Sequence, residues 1–147
     1  MLPRGSSAPP LLEELKQAHS SLLLAIGELD RIRSGQPPSE VELVNARWRV
    51  SGASLSRRLL WGRILARLAP LVRGRGEADL RFVQEQDIQL LKASVNHVAA
   101  WKPADAIAAW RIYGAAESNL LQKMIGAVAL EKRLLYPLLE EVERQAA

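Results

Sequence analysis

Apolar residues return every three to four positions through four long stretches of this 147-residue chain, and no apolar/polar alternation bounded by turn residues accompanies them. That spacing is helical, so the chain is expected to bury stripes of helices against one another rather than the faces of a sheet. The first stripe is Leu11, Leu15, His19, Leu22, Ile26 and Leu29. The last is Leu120, Met124, Ala127, Glu131, Leu134, Leu138 and Val142. Glu131 therefore stands as a carboxylate inside an apolar stripe. Such a group must be paired, metal-bound or protonated, because an isolated buried charge is too costly.

Breaker residues divide the stretches. Residues 1–8, rich in Pro, Ser and Gly, are expected to be a disordered leader, and residues 9–147 a single helical-bundle domain. Pro9-Pro10 suits the first turn of a helix running to about Arg33. Ser39-Glu40-Val41-Glu42 is a capping box opening a second helix that lasts to about Ala69. A third is expected from about Glu77 to Ala100, and a fourth from about Ala116 to Arg144, with Pro137 placed to kink its end. Pro103 to Tyr113 reads as a short helix or a bent lead-in. Four long helices with short connections predict antiparallel neighbours, hence an all-α, up-down-up-down four-helix bundle with a short extra helical segment before the last helix.

The second helix has apolar residues on two sides. Trp48, Gly52, Leu55, Leu59, Gly62 and Ala66 form one stripe, taken here as the inner one. Val50, Trp61, Ile64, Leu68 and Leu71 form another, with Arg57 among them. A bundle helix needs one buried face, so the second stripe predicts a self-association surface and a homodimer through this helix.

Composition narrows the chemistry. With no cysteine there is no disulfide, thiolate nucleophile or zinc-thiolate site. No apolar run is long enough for a transmembrane segment, and the start lacks the apolar core of a secretory signal, so a cytoplasmic protein is expected. Twenty basic residues against sixteen acidic ones give a net charge of +4. The arginines of the second helix are spread around it with no nucleic-acid recognition motif beside them, so nucleic acid is not the expected partner. The chain carries no nucleophile triad, P-loop or dinucleotide fingerprint, and an enzyme is not expected. His19-Ser20-Ser21-Leu22 lacks the pattern of a surface phosphotransfer histidine.

An early histidine, a long second helix, a third helix with His97 and Trp101 four apart, and a last helix carrying Glu131-x-x-x-Leu135-Tyr136-Pro137 together resemble the hemerythrin-like (HHE) bundle family over residues 11–143. The resemblance implies a non-haem di-iron centre held by histidines and carboxylates of all four helices. Carried across residue by residue, His19 fits the first-helix histidine and Glu131 the last-helix carboxylate. Gly62 and Ala66 stand where the second helix would offer ligands, Trp101 stands at the second histidine of the third helix, and Ala127 at the last-helix histidine. Two histidines cannot supply a five-histidine site. The expected function is that of a non-catalytic binding or regulatory module with a degenerate, metal-free site, in which His19 and Glu131 face each other and Trp101 fills the vacated volume. The alternative is a mononuclear site for iron or another divalent metal, sensing oxygen or metal through His19, His97 and Glu131. Periodicity leaves the direction of His97 open, since Leu80, Ile88, Leu91, Val95 and Val98 make a competing stripe.

Overall fold

The structure, a computed structural model, describes residues 10–146. These are almost wholly helical: α1 Leu11–Ser34, α2 Glu40–Leu68, α3 Arg75–Ala100, α4 Pro103–Ala108 and α5 Trp110–Ala146. No strand occurs among the described residues, as the helical period requires. The leader assigned to residues 1–8 lies outside them. So does Pro9, while Pro10 is not helical but the N-cap of α1, at ψ 150°.

Local signals set most of the helix ends. Ser39 caps α2, its hydroxyl accepting from the Glu42 N–H at 3.2 Å, and that hydroxyl faces the Glu42 carboxylate at 3.3 Å. Gly74 turns the chain into α3 at φ 62°, a conformation a side chain would strain. Pro103 sits in the first turn of the short α4. The last helix starts at Trp110, six residues ahead of the expected Ala116, and Pro137 does not interrupt it. Gly114 is buried there, its α-carbon face against Arg33 of α1, so its small size serves packing.

Helix pairs run in opposite directions. The Leu12 N–H donates to Glu143 at 3.0 Å and Trp110 donates to the Gly35 carbonyl at 2.8 Å, so α1 and α5 are antiparallel. Arg63 reaches Glu14 at 2.7 Å and Arg49 reaches Glu28, which sets α2 against α1 in the same sense. His97 beside Glu117 and Gly76 beside Leu138 do so for α3 and α5. The apolar core falls into two clusters. One, around Leu22, Ile26, Leu43, Val50, Tyr113 and Leu121, lies towards α4. The other, around Leu15, Trp61, Ile64, Leu68, Leu135 and Leu139, lies towards the opposite end.

The inner face of α2 is the reverse of the one expected. Val50, Trp61, Ile64 and Leu68 are buried, so they form the core and not a self-association surface; only Leu71, just past the helix, is exposed. Trp48, Leu55 and Leu59 point outward at 74%, 54% and 67% exposure, and Gly52, Gly62 and Ala66 are exposed with them. Two stripes about 180° apart on one helix are equivalent by periodicity. The choice falls to the stripe whose central charge, Arg57, finds carboxylates inside.

A candidate site at the centre of the helices

Between the two apolar clusters lies a buried layer of polar side chains, one from each long helix. His19 of α1, Arg57 of α2 and Glu131 of α5 are each 1% exposed, and Asp87 of α3 is 13% exposed. The Arg57 guanidinium donates to both Glu131 oxygens: Nε lies 2.9 Å from Oε2 and 3.2 Å from Oε1, and Nη2 also bonds Oε2. Its Nη1 lies 2.8 Å from Asp87 Oδ1. Asp87 Oδ2 is 3.8 Å from Arg58 Nε, too long for a hydrogen bond.

His19 completes the layer. Its Nε2 is 3.0 Å from Glu131 Oε1 and its Nδ1 is 2.6 Å from the Tyr136 hydroxyl, whose ring stacks on the imidazole. A carboxylate only accepts, so Nε2 donates to Glu131, and in the neutral imidazole Nδ1 accepts from the Tyr136 O–H. Burial, and then the Glu131 charge, push the Tyr136 hydroxyl up to about 12, which keeps that proton in place. Burial opposes the charge on Arg57, but Glu131 and Asp87 more than offset it and hold the guanidinium charged. Both nitrogens of His19 and both oxygens of Glu131 are therefore engaged by protein groups. Asp87 is the least engaged member of the layer, its buried Oδ1 making no hydrogen bond despite the nearby Arg57.

The expected pairing of His19 with Glu131 is present. The remaining expected site residues are placed elsewhere. His97 and Trp101 belong to a second cluster near α4. There His97 Nε2 lies 3.0 Å from Glu117 Oε2, Tyr113 donates to Glu117 Oε1 at 2.6 Å, and His97 and Trp101 both pack on the Tyr113 ring. Burial, with the Glu117 charge, raises the Tyr113 hydroxyl well above its ordinary value, so it stays a donor. Glu117 and Glu131 are fourteen residues apart on α5, or about 21 Å at 1.5 Å per residue. His19, His97 and Glu131 therefore do not form one ligand set. Trp101 does not fill the space beside Glu131; the Arg57 guanidinium does. Gly62 and Ala66 are on the outer face of α2, and Ala127 is partly buried against α3.

A di-iron or single-metal centre does not fit these residues. The carboxylate it would need is bonded on both oxygens by Arg57, and no group of three His, Asp or Glu side chains converges among the described residues. Arg57, Asp87, Glu117 and Tyr113 were missed as site residues. The available signal was the one that singled out Glu131: Arg57 sits seven residues from both Val50 and Ile64, and Asp87 lies between Val83 and Leu90. No helix among the described residues is long and apolar enough to cross a membrane. No family model, curated protein or solved structure matches this chain.

Proposed function

We propose that this chain is a non-catalytic, hemerythrin-like up-down-up-down bundle in which an arginine does the work of the family's metal ions, and that it functions as a binding module. One observation carries this reading. His19, Arg57, Asp87 and Glu131 reach one buried layer from four different helices, with Arg57 as the cation that faces both carboxylates. The antiparallel pairing of neighbouring helices supports the up-down course. Protein purified without chelators is expected to contain no stoichiometric iron, zinc or manganese, and adding these ions is expected to leave its thermal midpoint unmoved. A stoichiometric metal, or a midpoint that rises on adding one, would overturn the reading.

The module is further proposed to be a homodimer through α2, by the outward stripe. Trp48, Gly52, Leu55, Leu59, Gly62 and Ala66 follow the alternating four-three spacing of a coiled-coil seam, with Val41 one heptad ahead of Trp48. Space is open above Gly52 and Gly62, so a second helix can approach closely. The start of α2 is acidic at Glu40 and Glu42 and its end basic at Arg67, so an antiparallel pair sets opposite charges together. Sedimentation of the wild type is expected to give a dimer and of Leu59→Glu a folded monomer. A wild-type monomer, or a variant that stays dimeric, would remove this interface.

A further inference from the structure

The molecule is open along one edge. No Cα of α2 lies within 8 Å of a Cα of α3, whereas the pairs α1–α2, α1–α5 and α3–α5 are packed together. Side chains bridge the gap at two heights. Arg57 meets Asp87 midway along the helices, and nearer α4 the Arg47 Nη1 donates to the Trp101 carbonyl at 2.7 Å. Between the bridges lies a cavity of about 460 Å³, within the range of small-molecule sites. Leu29, Leu121 and Met124 form its floor, and Val50, Leu91 and Val95 its sides. At the rim Leu91, Val95 and Val98 are 38%, 58% and 54% exposed, an apolar edge that no other part of the described chain covers.

Unpartnered polar atoms gather at this cavity. Five buried side-chain polar atoms among the described residues lack a hydrogen bond, and three of them belong to its lining: Arg58 Nε, Ser94 Oγ and His97 Nε2. His97 is 9% exposed, and its Nε2, though 3.0 Å from Glu117, is not aimed along a hydrogen bond. Charges decide which chemistry these atoms want. Glu117 is engaged on one oxygen by Tyr113 and approached on the other by His97, and Arg47 is held by Trp101 and lies over the Tyr113 ring. Asp87 lies 2.8 Å from Arg57, with no hydrogen bond on its buried Oδ1, and makes only a long ion pair of 3.8 Å with Arg58 Nε. Arg47 and Arg58 are the cations of the lining and Glu117 its carboxylate; of the two cations Arg58 is the one whose buried Nε has no hydrogen-bond partner, and a guanidinium only donates.

We infer that the α2–α3 cavity binds an elongated apolar molecule ending in a carboxylate, its body lying along Leu29, Val50, Leu91 and Met124 and its carboxylate on Arg58. A carboxylate gives Arg58 the charge-assisted acceptor it lacks, and the chain excludes water from the apolar floor. This deepens the binding-module reading and rests on it. Metal content and sedimentation test that reading without any ligand, so the two fail separately.

Calorimetry with dodecanoate, below the concentration at which it forms micelles, is the test, with dodecanol and dodecyltrimethylammonium as companions of equal chain length. One dodecanoate per chain is expected, binding at least about tenfold more tightly than dodecanol, as expected for a hydrogen bond to a charged group. Arg58→Gln is expected to bring the acid down to the alcohol's affinity. Leu91→Trp, at a partly exposed position, is expected to fill the cavity and abolish binding of both while circular dichroism and thermal midpoint are kept. Equal binding of acid and alcohol, or tighter binding of the ammonium compound, would overturn the carboxylate assignment. Absence of saturable binding, or binding unaffected by a folded Leu91→Trp, would overturn the site itself.

Discussion

At residue scale the molecule turns on Arg57, which holds carboxylates from two other helices while being 1% exposed itself. Taking these charges out of water costs several kcal/mol per ion, which only good geometry and mutual pairing offset. Removing one partner is therefore worse than removing both. Arg57→Ala is expected to cost about 3–5 kcal/mol in urea unfolding, and Arg57→Met with Glu131→Leu to recover most of it, because the fully buried carboxylate then goes with its cation and only Asp87, 13% exposed, is left without it. Additive losses in the double variant would refute this account of the layer. Tyr136 gives a second residue-scale prediction. Its folded hydroxyl titrates at about 12 against 10.0 ordinarily, so the folded state keeps a proton that the unfolded state loses. Its contribution is whole below pH 10 and declines as pH rises from 10 to 12. Tyr136→Phe is expected to be less stable than wild type at neutral pH but to lose stability less steeply across that window, as read from urea midpoints.

Elements show where periodicity suffices and where it does not. The stripe of α1 was legible from Leu15 on, since Leu15, His19, Leu22, Ile26 and Leu29 are all buried as spaced, while Leu11 is only partly buried and Leu12 is buried instead. On α5 the buried line runs Leu120, Met124, Val128, Glu131, Leu135, Leu139 and Val142, slightly rotated from the expected one, with Glu131 still at its centre. On α2 the same reasoning chose the wrong side, because two apolar stripes of equal quality oppose each other across the helix. The cap of α2 is strictly local and was readable. Ser39→Ala is expected to cost about 1 kcal/mol, seen as a lowered urea midpoint with unchanged slope. A variant as stable as wild type would show the cap to be idle.

For the whole molecule, three packed helix pairs and one open edge leave two surfaces unaccounted for: the outward stripe of α2 and the cavity beside it. They predict different behaviour. A charge at Leu59 is expected to act on association and not on ligand affinity, whereas a larger side chain at Leu91 is expected to act on ligand affinity and not on association. Sedimentation and calorimetry on the two variants separate these effects. If Leu59→Glu abolishes dodecanoate binding as well, the cavity is completed by the second copy rather than by one chain.

The sequence by itself determined the helical class, the approximate helix spans, the cap at Ser39, and the burial of His19 and of Glu131, each in its own stripe. All of these depend on spacing and neighbours within one or two turns. Only the tertiary structure decided which face of α2 turns inward, that Arg57 and not Trp101 stands beside Glu131, and that His97 joins Glu117 some 21 Å along α5, by the helical rise, instead of completing a site with His19. Those outcomes depend on which buried charge meets which across the core. That match is a property of helices from distant parts of the chain, and helical period carries no information about it.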